Sequence, residues 1–259
     1  MARTTIATIS KPVWVDLATR DSTGARKFYE QLFGWRADVN PDPQYGGYAT
    51  ATHGGKNVAG IGPTQAPDQP SAWSFYVGTD DVEDLSREVE KAGGKVIQKP
   101  FDVGDQGRMA VFQDPAGAFI SAWQSTRMHG FEVQRTNAYG WAELNARNVE
   151  SALPFYQQAF GWTTKRSPVL DGADYFEFLA DGDSVAGATE LNPKAPAGTP
   201  SQWLVYFGVD DVGGMFQRAL RLGAREMVAP QSYSGGTFAI LTDPQGAQFG
   251  LFQSDRNRS

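Results

Sequence analysis

Residues 12–19, PVWVDLAT, alternate in polarity, and residues 139–146, YGWAELNA, repeat that alternation. Period-two patterning with aromatic and β-branched side chains predicts a strand at each place. A helical pattern follows both. Asp21 and Asn148 stand as capping residues before Ala25, Phe28, Tyr29 and Leu32 in one stretch and Leu153, Phe155, Tyr156 and Ala159 in the other, and Gly34 and Gly161 end them. Next come two hairpin patterns with glycine-containing turns, YATATHGGKNVAGIG and YFEFLADGDSVAGAT. A further strand (AWSFYVGT, QWLVYFGV), a second acid-capped helix from Asp81 or Asp211, and strands leading to DPAGAFISAWQ and DPQGAQFGLFQ complete the pattern. Each half of each repeat reads βαβββ.

The pattern recurs because the chain is an internal duplication. FYEQLFGW at 28–35 returns as FYQQAFGW at 155–162, an offset of 127. Trp14, Asp16, Leu17, Tyr48, Gly55, Val58 and Gly60 return at the same offset as Trp141, Glu143, Leu144, Tyr175, Gly182, Val185 and Gly187. Trp73, Asp80, Asp81 and Val82 return at offset 130 as Trp203, Asp210, Asp211 and Val212, and Asp114, Pro115 and Gly117 at offset 129 as Asp243, Pro244 and Gly246. The expected organisation is one domain over 1–125, a linker over 126–137 and a second domain over 138–259. Segments 64–71, 124–137 and 192–201 collect turn and polar residues, and no functional motif is expected in them.

Composition narrows the function. The 259 residues suit two domains with working cores. No apolar run approaches the roughly 20 residues of a membrane span, and the start MARTTIATISKP lacks the apolar stretch of a signal peptide, so a cytoplasmic location is expected. Zero cysteines remove disulfides, thiolate sites and cysteine nucleophiles, and two histidines leave little imidazole chemistry. A net charge of −6 without a basic cluster argues against nucleic acid.

The ordered set of strand, Asp-started helix, FYxxxFGW, xDDV and DPxGxxF, present twice, resembles the vicinal oxygen chelate superfamily of glyoxalases, extradiol dioxygenases and bleomycin- or fosfomycin-resistance proteins. It is most similar to a tandem-domain actinobacterial branch whose members are labelled hydroxylase or glyoxalase-like. The resemblance implies an α+β fold of two tandem domains, each of two βαβββ modules forming a half-open eight-stranded barrel around a cavity. It also implies positions for metal ligands, which here hold Trp14, Ser74 and Ser121 in one domain and Trp141, Leu204 and Gly250 in the other. Indole cannot coordinate, and serine hydroxyls are poor ligands without imidazole or carboxylate beside them. His53 lies in a hairpin turn and His129 in the linker, so the expectation is a protein without metal or other cofactor.

Strand parity puts Asp16 and Glu143 on the same face as Trp14 and Trp141, towards the cavity. A carboxylate against aromatic walls has its charged form disfavoured and becomes a candidate general acid or base; it can equally serve as a structural hydrogen-bond acceptor. Tyr76 and Tyr206 should face the cavity with a phenol able to orient a bound oxygen. Phe119, Ser121 and Trp123, and Gln248, Gly250 and Phe252, line the last strands by the same parity. Arg108, with Thr237 in its place in the second copy, is a candidate for binding a substrate anion. Trp73 and Trp203 fall on the opposite face, where core or interdomain packing is expected. Ser74, Ser121 and Arg108 make the first pocket the better equipped for a polar ligand, whereas Gly250 leaves room for a larger ring in the second.

The leading expectation is a metal-independent protein that binds a small, partly aromatic organic molecule in a Trp-lined cavity. Turnover, if present, would be hydroxylase, isomerase or lyase chemistry using a pocket carboxylate. Two alternatives stand beside it: a non-catalytic binder or drug-sequestering resistance protein, and a metal-dependent glyoxalase or dioxygenase. Tandem duplication supplies module pairing internally, so a monomer or weak homodimer is expected.

Overall fold

The computed structural model describes residues 10–131, 136–168, 174–193, 195 and 198–255. The first repeat runs β1 (Pro12–Thr19), α1 (Ser22–Phe33), β2 (Arg36–Val39), β3 (Ala49–His53), β4 (Lys56–Pro63), β5 (Ala72–Gly78), α2 (Val82–Lys91), β6 (Lys95–Val103), β7 (Gly107–Gln113) and β8 (Phe119–Ser125). The second runs β9 (Ala138–Ala146), α3 (Val149–Phe160), β10 (Thr163–Ser167), β11 (Tyr175–Ala180), β12 (Asp183–Glu190), β13 (Gln202–Gly208), α4 (Val212–Arg221), β14 (Arg225–Tyr233), β15 (Gly236–Thr242) and β16 (Gln248–Ser254). Each repeat is thus βαβββ twice over.

Each repeat builds one eight-stranded sheet, ordered β2-β3-β4-β1-β5-β8-β7-β6 and β10-β11-β12-β9-β13-β16-β15-β14. The two modules of a repeat meet where β1 runs antiparallel to β5 and β9 to β13. β2 and β6 stay unpaired edges of a curled sheet. In the first repeat a 3-10 turn, Pro43–Tyr45, reaches from one edge towards the other, and the Tyr45 hydroxyl donates to Asp105 beyond β6 at 3.4 Å. The result is an α+β fold of two half-open barrels.

One hydrophobic core spans both repeats, with the helices between the two sheets. The repeated FYxxxFGW segment makes this junction. Tyr29 Oη donates to Asp243 Oδ2 (3.0 Å) and accepts from Trp73 Nε1 (3.0 Å); in mirror image, Tyr156 Oη donates to Asp114 Oδ2 (2.7 Å) and accepts from Trp203 Nε1 (2.9 Å). Trp35 and Trp162, both fully buried, donate to the backbone carbonyls of Asn137 and Ser10 respectively. Buried aromatic rings with every polar tip partnered supply both area and geometric specificity. Trp73 and Trp203 therefore do pack between the repeats.

Asp21, Asp81 and Asp211 cap their helices through side-chain acceptance of the third N–H, at 2.8, 2.9 and 3.0 Å. Asn148 does not: its backbone is left-handed (φ 54°) and its side chain makes no capping bond. Glu190, at the end of β12, accepts from the N–H groups of Asn148 and Val149 instead (2.8 and 2.9 Å). Leu153 is only partly buried, and the buried face of α3 is Val149, Ala152, Phe155, Tyr156, Ala159 and Phe160. Among the described residues no helix is long and apolar enough to cross a membrane.

Candidate functional site

The concave face of the first sheet is set by register. Asp16 on β1 lies opposite Ser74 on β5 and beside Gly60 on β4; Trp14 lies opposite Tyr76, which lies beside Ser121 on β8. Tyr48, just before β3, swings over β4 towards Asp16. A methyl group on Gly60 would sit 1.7 Å from the Tyr48 hydroxyl, so only glycine permits this approach. The polar atoms then form a chain. Trp14 Nε1 donates to Tyr48 Oη (2.9 Å), and Tyr48 and Tyr76 both donate to Asp16 Oδ2 (3.4 and 3.0 Å).

Burial raises the Asp16 pKa from 3.8 to about 6, against the lowering effect of hydrogen bonds from Tyr76, Ser74 and Tyr48. Desolvation wins because the half-buried carboxylate faces neutral donors and no cation. Such a group changes protonation near neutrality, as general acid–base chemistry requires. Burial and the neighbouring Asp16 charge raise the pKa of Tyr48 and Tyr76, so both phenols stay donors.

The second repeat rebuilds the arrangement with different parts. Trp141 Nε1 donates to Tyr175 Oη (2.9 Å), Tyr206 Oη donates to Glu143 Oε1 (3.1 Å), and Asn145 Nδ2 also donates to Oε1 (3.2 Å). Glu143 is also raised, chiefly by burial, with Tyr206, Asn145 and Tyr175 opposing. Leu204 stands opposite Glu143 where the first repeat has Ser74 opposite Asp16. Asn145 is thus the polar neighbour that a serine would have been.

Of the residues singled out from sequence, Trp14, Asp16, Ser74, Tyr76 and Ser121 come together in the first cup, and Trp141, Glu143, Leu204, Tyr206 and Gly250 in the second. Trp123 is buried beside Trp14 and Tyr76, its indole donating to the Met128 carbonyl (2.7 Å). Phe119 is 53% exposed at the outer end of β8. Gln248 is tied to Gln202 (2.8 Å), and Phe252 stacks with Tyr233.

Three expectations are corrected. Arg108 lies on the helix side of β7, paired with Glu83 of α2 (2.8 Å) and Asp102 (2.9 Å), so its guanidinium is engaged by two carboxylates and does not face the cup. Gly250 does not leave room: the Tyr206 ring occupies it, and a methyl there would fall 2.0 Å from a ring carbon. The linker is not inert. Met128 and Phe131 pack against Trp14, Tyr76 and Trp123, closing one end of the first cup. Tyr48 and Tyr175 were missed as cup residues although they recur at offset 127, and Tyr233 has no repeat partner to flag it.

At the six positions where metal ligands are implied, the donors do not suit a cation. The Trp14 and Trp141 indoles present N–H donors already spent on phenols, Leu204 and Gly250 offer no ligand atom, and Ser74 and Ser121 offer only hydroxyls. Among the described residues no three His, Asp or Glu side chains converge.

The model of the Glyoxalase/Bleomycin resistance protein/Dioxygenase superfamily matches residues 11–122 and again 138–251. The glyoxylase-named protein CFP32 of Mycobacterium tuberculosis is 40% identical over 248 residues, covering 93% of this chain and 94% of the relative. The anthracycline biosynthesis protein DnrV of Streptomyces peucetius is 36% identical over 257 residues, covering 93% and 92%. Among solved structures, the Mn(II)-bound glyoxalase from Novosphingobium aromaticivorans superposes with a TM-score of 0.65 at 17% identity, covering 95% of this chain and 82% of that one. A mutant of 4-hydroxymandelate synthase from Streptomyces coelicolor gives 0.63 at 14%, covering 95% and 93%. These structural likenesses speak to fold.

Proposed function

Since the chain belongs to the Glyoxalase/Bleomycin resistance protein/Dioxygenase superfamily, we propose that it keeps the family's cup and works there without a metal, binding a small, partly aromatic organic molecule over a proton-transferring carboxylate. One observation carries this reading. Each cup floor holds an acid on two or three neutral donors next to an indole–phenol pair, Asp16 with Tyr48, Tyr76 and Trp14, and Glu143 with Tyr206, Asn145 and Trp141. A flat ligand gains area from the aromatic walls, while a phenol, enol or carbonyl oxygen on its edge exchanges a proton with the acid. The 36% identity to an anthracycline biosynthesis protein supports a fused-ring ligand and a tailoring step of the isomerase type, in which a proton leaves one ring position and returns at another. In that step the acid moves a proton at a ring carbon or its attached oxygen, and the phenols hold the acid in place.

The second reading is a binder without turnover, favoured by the fact that the phenols of Tyr48, Tyr76 and Tyr206 already donate within the protein. Replacing Asp16 with Asn and Glu143 with Gln separates the two. Loss of turnover with retained affinity supports the acid–base role, turnover that survives both replacements removes the carboxylates from the chemistry, and affinity without turnover in the parent leaves a binder. A divalent ion bound stoichiometrically in either cup would overturn metal independence.

A further inference from the structure

The two cups differ most at the end away from the carboxylates. In the first repeat that end is filled by the chain itself. Residues 126–128 hang their N–H groups on the Gln106 carbonyl (2.9 to 3.1 Å), and the Phe131 N–H donates to Val13 (2.8 Å). Met128 then joins Val103 and Met109 against the buried cluster of Val13, Trp14, Tyr76 and Trp123, while Phe131 lies tilted on Trp14 at 5.7 Å and stacked on Tyr139 at 4.8 Å. Trp14 is left 2% exposed and Trp123 5%.

The equivalent positions of the second repeat carry rings. Tyr233 replaces Val103, Phe238 replaces Met109 and Phe252 replaces Trp123, by register with β14, β15 and β16. Tyr233 stacks on Phe252 (6.3 Å, 28°) and meets Phe238 edge-on (6.1 Å). Trp141 and Phe252 are partly exposed where Trp14 and Trp123 are buried, while Tyr233, Phe238 and Glu143 are covered to the same degree as Val103, Met109 and Asp16. Partly exposed rings beside a desolvated acid offer stacking area to an apolar partner.

We infer that the C-terminal cup is the ligand site and the N-terminal cup is occupied internally by residues 126–131, the ligand being a planar fused-ring compound with a hydroxyl or quinone oxygen on one edge. The rings of Tyr233 and Phe252 take the plane, and Glu143 and Tyr206 take the oxygen. This rests on the aromatic-ligand reading above and assigns it to one cup. It also reverses the expectation that the serines make the first pocket the better equipped.

Calorimetric titration of the full chain with doxorubicin, a soluble anthracycline, tests it. The expected result is one site per chain, with affinity weakened about tenfold or more by Tyr233→Ala and by Phe252→Ala, since lost stacking and area are worth at least ~1.4 kcal/mol each. Tyr233→Phe should keep most of the affinity, and Met128→Ala should change it less than about twofold. Two sites per chain, or affinity that follows Met128 and ignores Tyr233 in variants that melt like the parent, would overturn the cup assignment and leave the aromatic-ligand reading standing. No heat of binding to the parent protein would remove the reading and the assignment together.

Discussion

The hydroxyl of Tyr29 donates to Asp243 Oδ2 at 3.0 Å, bonding the first helix of one repeat to the last turn of the other. Asp243 also accepts from the N–H groups of Gln245 and Ala247, so its carboxylate is a buried hub that fixes the turn and the junction at once.

Tyr29→Phe is therefore expected to cost about 2–3 kcal/mol, because it strips a donor from a buried carboxylate and an acceptor from the Trp73 indole. Tyr156→Phe should cost a similar amount through Asp114. Urea unfolding should show one transition for the parent and both variants, since a single core spans the repeats. Two resolved transitions in the parent would refute the shared core.

Asp16 makes a pH-dependent contribution with a definite sign. Its folded pKa of about 6 lies above the 3.8 of an ordinary aspartate, so the folded state holds the proton more tightly. The contribution is fully present below pH 3.8 and is lost as pH rises through about 6. Two units correspond to up to about 3 kcal/mol. Asp16→Asn should flatten the fall in unfolding free energy between acid and neutral pH by up to that amount, leaving the parts due to Glu143, Asp114 and Asp243, whose carboxyls burial also raises. An unchanged pH profile would show that Asp16 is not held in a desolvated state.

Gly250→Ala places a methyl against the Tyr206 ring and should push that phenol off Glu143. A loss of about 1–3 kcal/mol is expected from overpacking. Gly60→Ala should do the same to Tyr48 above Asp16. Thermal unfolding measures the cost, and a variant as stable as the parent would mean that the tyrosines have other places to go.

Glu190→Ala should destabilise by about 1–2 kcal/mol, as loss of a helix cap does, while Asn148→Gly should be neutral or stabilising because the left-handed backbone suits glycine and no side-chain cap is lost. The reverse order in chemical denaturation would return the capping role to Asn148.

Most of the architecture was legible in the sequence because the signals are local. Period two gave the strands, three of the four caps were read correctly, and the repeated octapeptide announced the duplication. Parity also brought Trp14 and Asp16, and Trp141 and Glu143, to one face. What escaped depends on contacts across the sheet. Arg108 is one residue from Met109, and only the pairing of Arg108 with Gln124 tells that it points to the helices. Tyr48 becomes a partner of Asp16 because it crosses a glycine on the intervening strand. The Met128 plug was invisible because turn-rich composition says nothing about where a linker packs.

The position of the seven indoles has an optical consequence. Trp35, Trp73, Trp162 and Trp203 lie in the junction between the repeats, whereas Trp14, Trp123 and Trp141 lie in the cups. The first four form a dry, hydrogen-bonded set whose emission should shift red only when the repeats come apart. Of the other three, Trp141 alone is partly exposed, beside the rings of the second repeat. Its quenching would report an incoming chromophore without disturbing the rest, so one spectrum separates integrity from occupancy.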